Sequence, residues 1–199
     1  IFLGVRIECA QCHHHPFDRW SQSDYFGMSA FFQQVKRKGT PRGEIMTAAG
    51  DPATKHPRTG ATVHAYALGT EMPAASPAGD RREVLADWMT SPDNPWFARN
   101  LANIVWAHFF GIGIVEPVDD LRATNPPSNA PLLEALADDF RQHEFNLKEL
   151  IKTITSSYVY SLSSVPSERN VADTRNYSRH YRQRLRAEVL LDSLSQITG

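Results

Sequence analysis

Cys9 and Cys12 are the only cysteines in 199 residues, and His13 follows the second directly. Two thiols three apart with a histidine next in line is the spacing for covalent haem attachment. The thiols form thioethers to the vinyl groups, and the histidine becomes the proximal iron ligand. The expected cofactor is therefore haem c, bound by Cys9, Cys12 and His13, with His13 as an iron ligand. Two rival chemistries use the same residues. Cys9, Cys12, His13 and His15 offer four soft or borderline ligands within seven residues, enough for zinc, although a contiguous set strains a tetrahedron. A plain redox thiol pair is the third reading, but the strand-to-helix context such pairs prefer is not visible upstream.

If haem is present, the sixth iron position separates an electron carrier from a redox enzyme with an open distal site. His56, with Pro57 restricting its backbone, is the favoured distal metal ligand, and His64 is the reserve. Met28 reads as core and His14 as exposed. His15 reads as hydrogen-bonded to a carboxylate such as Asp18. A second, weaker constellation comprises Glu116, Asp119, Asp120 and Arg122 with His108, one helix earlier. Paired carboxylates can divide acid and base roles, but these read more simply as helix caps and partners of Arg82, Arg99 or Arg122. No catalytic residue is assigned. The basic run Arg179, His180, Arg182, Arg184 and Arg186 reads as a solvated or ion-paired face.

The elements that must position these groups are mainly helical. Ser21 or Ser23 can cap a helix from Asp24 to about Val35, with Tyr25, Met28, Phe31 and Phe32 near one face. Phe17, Trp20 and Phe26 add to an aromatic surround that would suit a haem pocket. From residue 36 to 79 glycines and prolines accumulate with little periodicity, which predicts a long loop with room for two short strands. Asp80 predicts a helix to Thr90 burying Val84, Leu85 and Trp88. Asn94-Pro95 begins another, carrying Phe97, Leu101, Ile104, Val105, His108 and Phe109 and ending at Gly111. Leu132, Leu133, Leu136 and Phe140 mark a further helix, and Asn146 caps one with Leu147, Leu150, Ile151 and Ile154 on its apolar face. A last helix spans Ala187 to Ile197, with Val189, Leu190, Leu194 and Ile197 inward. The fold class expected is mainly α: a small haem-binding segment at 1–40, a loop or linker with little strand at 41–79, and a helical domain at 80–199.

Apolar residues make up 41% and charged residues 22%, the balance of an ordinary globular chain, and the formal net charge of -1 gives no reason to expect nucleic acid as a partner. No apolar run has the length of a membrane span. The chain opens at Ile1 and stops at Gly199 directly after a helical pattern, which we read as part of a longer precursor. Covalent haem attachment occurs outside the cytoplasm, so a periplasmic or otherwise extracytoplasmic location is expected. The expected partners are a redox protein and the rest of the precursor or other subunits.

Ile1 to Trp20, read through Cys9-Ala10-Gln11-Cys12-His13-His14-His15-Pro16-Phe17-Asp18-Arg19, closely resembles the cytochrome-like domain of large secreted planctomycete proteins. Asp80-Arg81-Arg82, Leu85-Ala86-Asp87-Trp88, Asn94 to Arg99, Val105-Trp106-Ala107-His108, Val115 to Asp120 and Asn125-Pro126-Pro127 resemble its partner, a planctomycete-specific domain of unknown function. The resemblance implies these two domains in this order, export, and no assigned reaction. It also implies arginine where this chain has Ile104, so an ion pair from that position to Asp119 or Asp120 is expected to be missing.

Overall fold

A computed structural model describes residues 2–74 and 79–199. Ile1 and the 75–78 part of the expected loop lie outside the described residues. A 3₁₀ turn, Glu8–Gln11, leads to helix α1 (Gln22–Ala30). Four strands follow, β1 (Val35–Thr40), β2 (Gly43–Ala48), β3 (Ala53–Lys55) and β4 (Thr62–His64). The remaining helices are α2 (Arg81–Met89), α3 (Phe97–Phe110), α4 (Ala130–Gln142), α5 (Leu147–Thr155) and α6 (Ala187–Thr198). None of the described helices is long and apolar enough to cross a membrane.

The expectation of a mainly α chain with little strand is corrected by this arrangement. Among the described residues there are six α-helices and two antiparallel two-stranded sheets, and the fold is mixed. β1 pairs with β2 from Val35↔Ala48 to Thr40↔Gly43, and β3 pairs with β4 from Ala53↔His64 to Lys55↔Thr62. The physical reason for the miss is exposure. The β1–β2 hairpin is exposed along most of both strands, so no period-two alternation is written into it. Lys36, Arg37, Lys38 and Gly39 read as loop, yet a hairpin needs a turn and backbone pairing more than an apolar face. The Thr40 hydroxyl donates to the Gly43 carbonyl at 2.7 Å across that turn. α1 ends at Ala30 rather than near Val35, where β1 begins.

The chain forms two compact units, Ile1–Leu101 with Asp119–Pro126, and Ala102–Val118 with Pro127–Gly199. In the first unit, Ser21 and Asp24 form a reciprocal capping box that starts α1: the Asp24 amide donates to the Ser21 hydroxyl, and the Ser21 amide to the Asp24 carboxylate. Behind α1, Ala30, Phe31, Ala65, Ala67 and Leu85 form one apolar cluster. Leu3, Ala10, Trp20 and Leu68 form another, flanked by Trp96 and Phe97. Gly27 is required here, because a Cβ would meet the Tyr66 ring at 2.3 Å. Asp80 caps α2 by accepting from the Arg82 amide at 3.0 Å. The Arg82 guanidinium, hydrogen-bonded to the same carboxylate, holds Asp80 down to about 2.

The second unit is built on the buried side chains Trp106, Phe110, Ile114, Leu136, Phe140, Leu150 and Ile154. Asn129 and Asn146 cap α4 and α5 through their side-chain oxygens. Glu144 and Phe145 take left-handed backbone angles between those helices, and the Phe145 ring packs edge-on against Phe140. The inward face expected for α6 is not found: Leu190, Leu194 and Ile197 are exposed, Ile197 to 82%.

Candidate functional site

The cysteine segment is held by what lies on either side of it. Ala10 is fully buried against Leu3, Trp20 and Leu68, and its amide donates to the Ile7 carbonyl at 2.9 Å. The buried Gln22, in the first turn of α1, donates from Nε2 to the Gln11 carbonyl at 2.7 Å. The His15 amide donates to the Trp20 carbonyl at 2.8 Å. With Ala10 inward, Cys9 and Cys12 are left outward, and both are free and exposed. In a 3₁₀ helix, side chains at i and i+3 eclipse one another. Three residues at a rise of about 2.0 Å put the two Cα atoms about 6 Å apart, within the span of a disulfide. Glu8–Gln11, with Cys12 in αR geometry as its C-cap, therefore sets Cys9 and Cys12 one turn apart.

The haem c expected on Cys9, Cys12 and His13, and the zinc alternative on the same residues with His15, are both overturned. Among the described residues, no three or more His, Cys, Asp or Glu side chains converge to hold a metal ion. The reason is visible in the rings. His13 Nδ1 lies 2.6 Å from the His14 carbonyl oxygen. His14 Nδ1 accepts from the Gln22 amide at 3.4 Å, and His15 Nδ1 from the Phe17 amide at 3.2 Å. Three consecutive histidines thus each turn to a different backbone group. Asp18, the partner expected for His15, instead accepts from the Arg19 amide.

The aromatic residues expected to wall a cofactor serve other ends. Trp20 is buried edge-on to Trp96, Phe31 lies in the apolar cluster, and Phe17 and Phe32 are exposed. His56, expected as a distal metal ligand, lies in the β3–β4 connection. Its Nδ1 accepts from the Arg58 amide at 3.3 Å, and its ring lies 6.1 Å from that of Phe26. It joins no metal-holding group among the described residues.

The carboxylates of the second constellation separate. Asp119 pairs with the Arg6 guanidinium, which holds its carboxyl below the usual carboxylate range. Asp120, 3% exposed, lies 3.4 Å from Arg122 and 4.0 Å from Arg6. Arg6 therefore supplies a cation to these aspartates, a role sequence reasoning missed because 113 residues separate it from Asp119. The only sequence signal was a lone arginine in an apolar opening strand of text, Ile1 to Ile7. Glu116, in the second unit, accepts from the Gly113 amide and shapes its own loop.

Tyr66 donates to Asp24 at 3.3 Å, and burial, with that carboxylate, pushes its phenol well above the ordinary value. This ties the residues that follow β4 to α1.

The second unit holds a groove of about 810 Å³ between α3, α5, the 180–186 segment and the start of α6. His108 lines it, and Arg186 Nη2 lies 3.4 Å from His108 Nδ1.

Comparison with known families divides the chain in two. Residues 1–37 match PSCyt2, a family of proteins of unknown function (DUF1549), and residues 81–199 match PSD1, likewise of unknown function (DUF1553). Both are planctomycete-associated domains. No curated protein and no solved structure matches the chain. With more than half its residues matched, the chain belongs to the PSD1 family, proteins of unknown function carrying the DUF1553 domain.

Proposed function

We propose that this protein is an extracytoplasmic electron-transfer module in which Cys9 and Cys12 themselves are the redox couple. The supporting observation is that both thiols are free and exposed, three residues apart at a 3₁₀ turn whose Ala10 is buried and whose Gln11 carbonyl accepts from Gln22. The thiol of one cysteine, as thiolate, attacks a disulfide of a partner protein, and one partner sulfur leaves as a thiol. The second cysteine then attacks the mixed disulfide, releasing the other partner thiol and closing Cys9–Cys12. Two electrons pass to the partner, and the two cysteine protons end on its two thiols. The reverse sequence oxidises the partner. Such a couple cycles where disulfides persist, outside the cytoplasm.

The test is alkylation followed by mass measurement after equilibration in glutathione buffers of graded potential. The expected result is a two-electron transition between a chain carrying two alkyl groups and a monomeric chain carrying none. A Cys12→Ser variant is expected to trap mixed disulfides that the parent resolves. If oxidation yields only chains linked to one another, or if the oxidised monomer never forms, the proposal fails.

A further inference from the structure

The groove of the second unit combines an apolar floor with a rim of one charge sign. Ile104, Val105 and Phe109 of α3 face Ile151 of α5 and Val189 of α6 across about 810 Å³, a volume within the range of small-molecule sites. Its lining also holds Arg184, Arg186, His108 and His180, and no aspartate or glutamate among the described residues. Neither arginine makes a salt bridge among those residues, and both are exposed. His180 Nδ1 is buried without a hydrogen-bond partner among the described residues.

The segment that carries these cations is tied in place. The His180 amide donates to the Ser163 carbonyl at 3.1 Å, and Gln183 Nε2 donates to the Phe109 carbonyl at 3.2 Å. Gly111 is required beneath it, because its φ is +76° and a Cβ would meet the Gln183 side chain at 2.8 Å. The arginines are thus presented from an anchored segment above apolar side chains.

We propose that this groove binds a small anionic amphiphile: an apolar chain or ring along α3, α5 and α6, with a single carboxylate or sulfonate head between Arg184 and Arg186. Burial of the apolar body supplies affinity, and the guanidinium fork selects the charge. This site is separate from the cysteine pair and does not depend on the reading of it.

The test uses decanoate, with decanol and acetate as controls, measured on the whole chain by calorimetry and by displacement of an anilinonaphthalene sulfonate probe. Decanoate is expected to bind at one per chain. Decanol lacks the charge and acetate lacks the tail, and each is expected to bind at least about tenfold more weakly. Arg184→Gln with Arg186→Gln is expected to weaken decanoate by roughly tenfold or more and leave decanol unchanged. Ile151→Glu, at an exposed position of the lining, is expected to repel the anion with the helical spectrum intact. Equal binding of decanol and decanoate, or an unchanged affinity in the double arginine variant, would overturn the proposal. So would an acidic amphipathic peptide that displaces decanoate at lower concentration than decanoate displaces the probe.

Discussion

Asn103 shows how much one buried amide can organise. It is fully buried, donates from Nδ2 to the carbonyls of Val115 and Val118 at 2.9 Å each, and accepts from the Val115 amide at 2.9 Å. One side chain therefore satisfies three backbone groups of an irregular segment that has no ladder of its own. Gly113 completes the turn, since a Cβ there would meet the Val115 carbonyl at 2.4 Å. Replacing Asn103 by Ala strands those three groups at roughly 1 kcal/mol each, so the expected loss is about 3 kcal/mol. Asn103→Asp keeps the acceptor but sets a carboxylate against two carbonyls, and is expected to cost at least as much. Denaturant titration of both variants checks this. A loss below about 1 kcal/mol in the alanine variant would mean that water replaces the amide.

At the scale of elements, the 173–178 loop is assembled by a single carboxylate. Asp173 accepts from the amides of Arg175, Asn176 and Ser178 at 3.0, 2.8 and 3.0 Å, and from the Ser178 hydroxyl. The Ser178 hydroxyl first, and then those amides, hold its carboxyl well below the usual carboxylate range. A lowered folded-state pKa means that the ionised form stabilises the fold. The contribution is complete above the unfolded value of about 3.9 and is lost as pH falls from there toward the folded value. Asp173→Asn is therefore expected to be less stable than the parent at pH 7, with the difference shrinking as pH drops below about 4. Urea midpoints at stepped pH read this, and a difference that stays constant with pH would refute it. Elements of this local kind were the legible ones. Ser21, Asp80 and Asn146 announce their helices because a cap bonds to amides two or three residues away. The β1–β2 hairpin was not legible, because its strands carry no apolar alternation. The cysteine segment was half legible. Residue types and spacing marked Cys9, Cys12 and His13, but whether neighbouring side chains converge depends on ring directions set by Gln22, Phe17 and the His14 carbonyl. Arg6 was illegible because its partners come from the far side of the sequence.

At the scale of the whole molecule, charge and exposed apolar surface act together. The formal net charge is -1 and the isoelectric point of the sequence lies at about 6.8. A small fall in pH below 7 therefore carries the net charge through zero, where long-range repulsion between copies vanishes. The described surface meanwhile shows Leu190, Leu191, Leu194 and Ile197 along α6, at 46%, 64%, 50% and 82% exposure. Clustered apolar side chains on a chain with little net charge favour association, and one helix places these four within a few turns of each other. Light scattering against pH is expected to show the largest apparent particle size just below pH 7 and smaller species on either side. Leu191→Glu with Ile197→Glu acts on both causes, lowering the apolar surface and moving the net charge from -1 to about -3. That variant is expected to flatten the profile and shift its maximum to lower pH. A control with Glu at two exposed positions outside α6, Thr59 and Val171, separates the causes. If the control flattens the profile equally, net charge alone governs association. If only the α6 variant does so, the exposed helix is the contact.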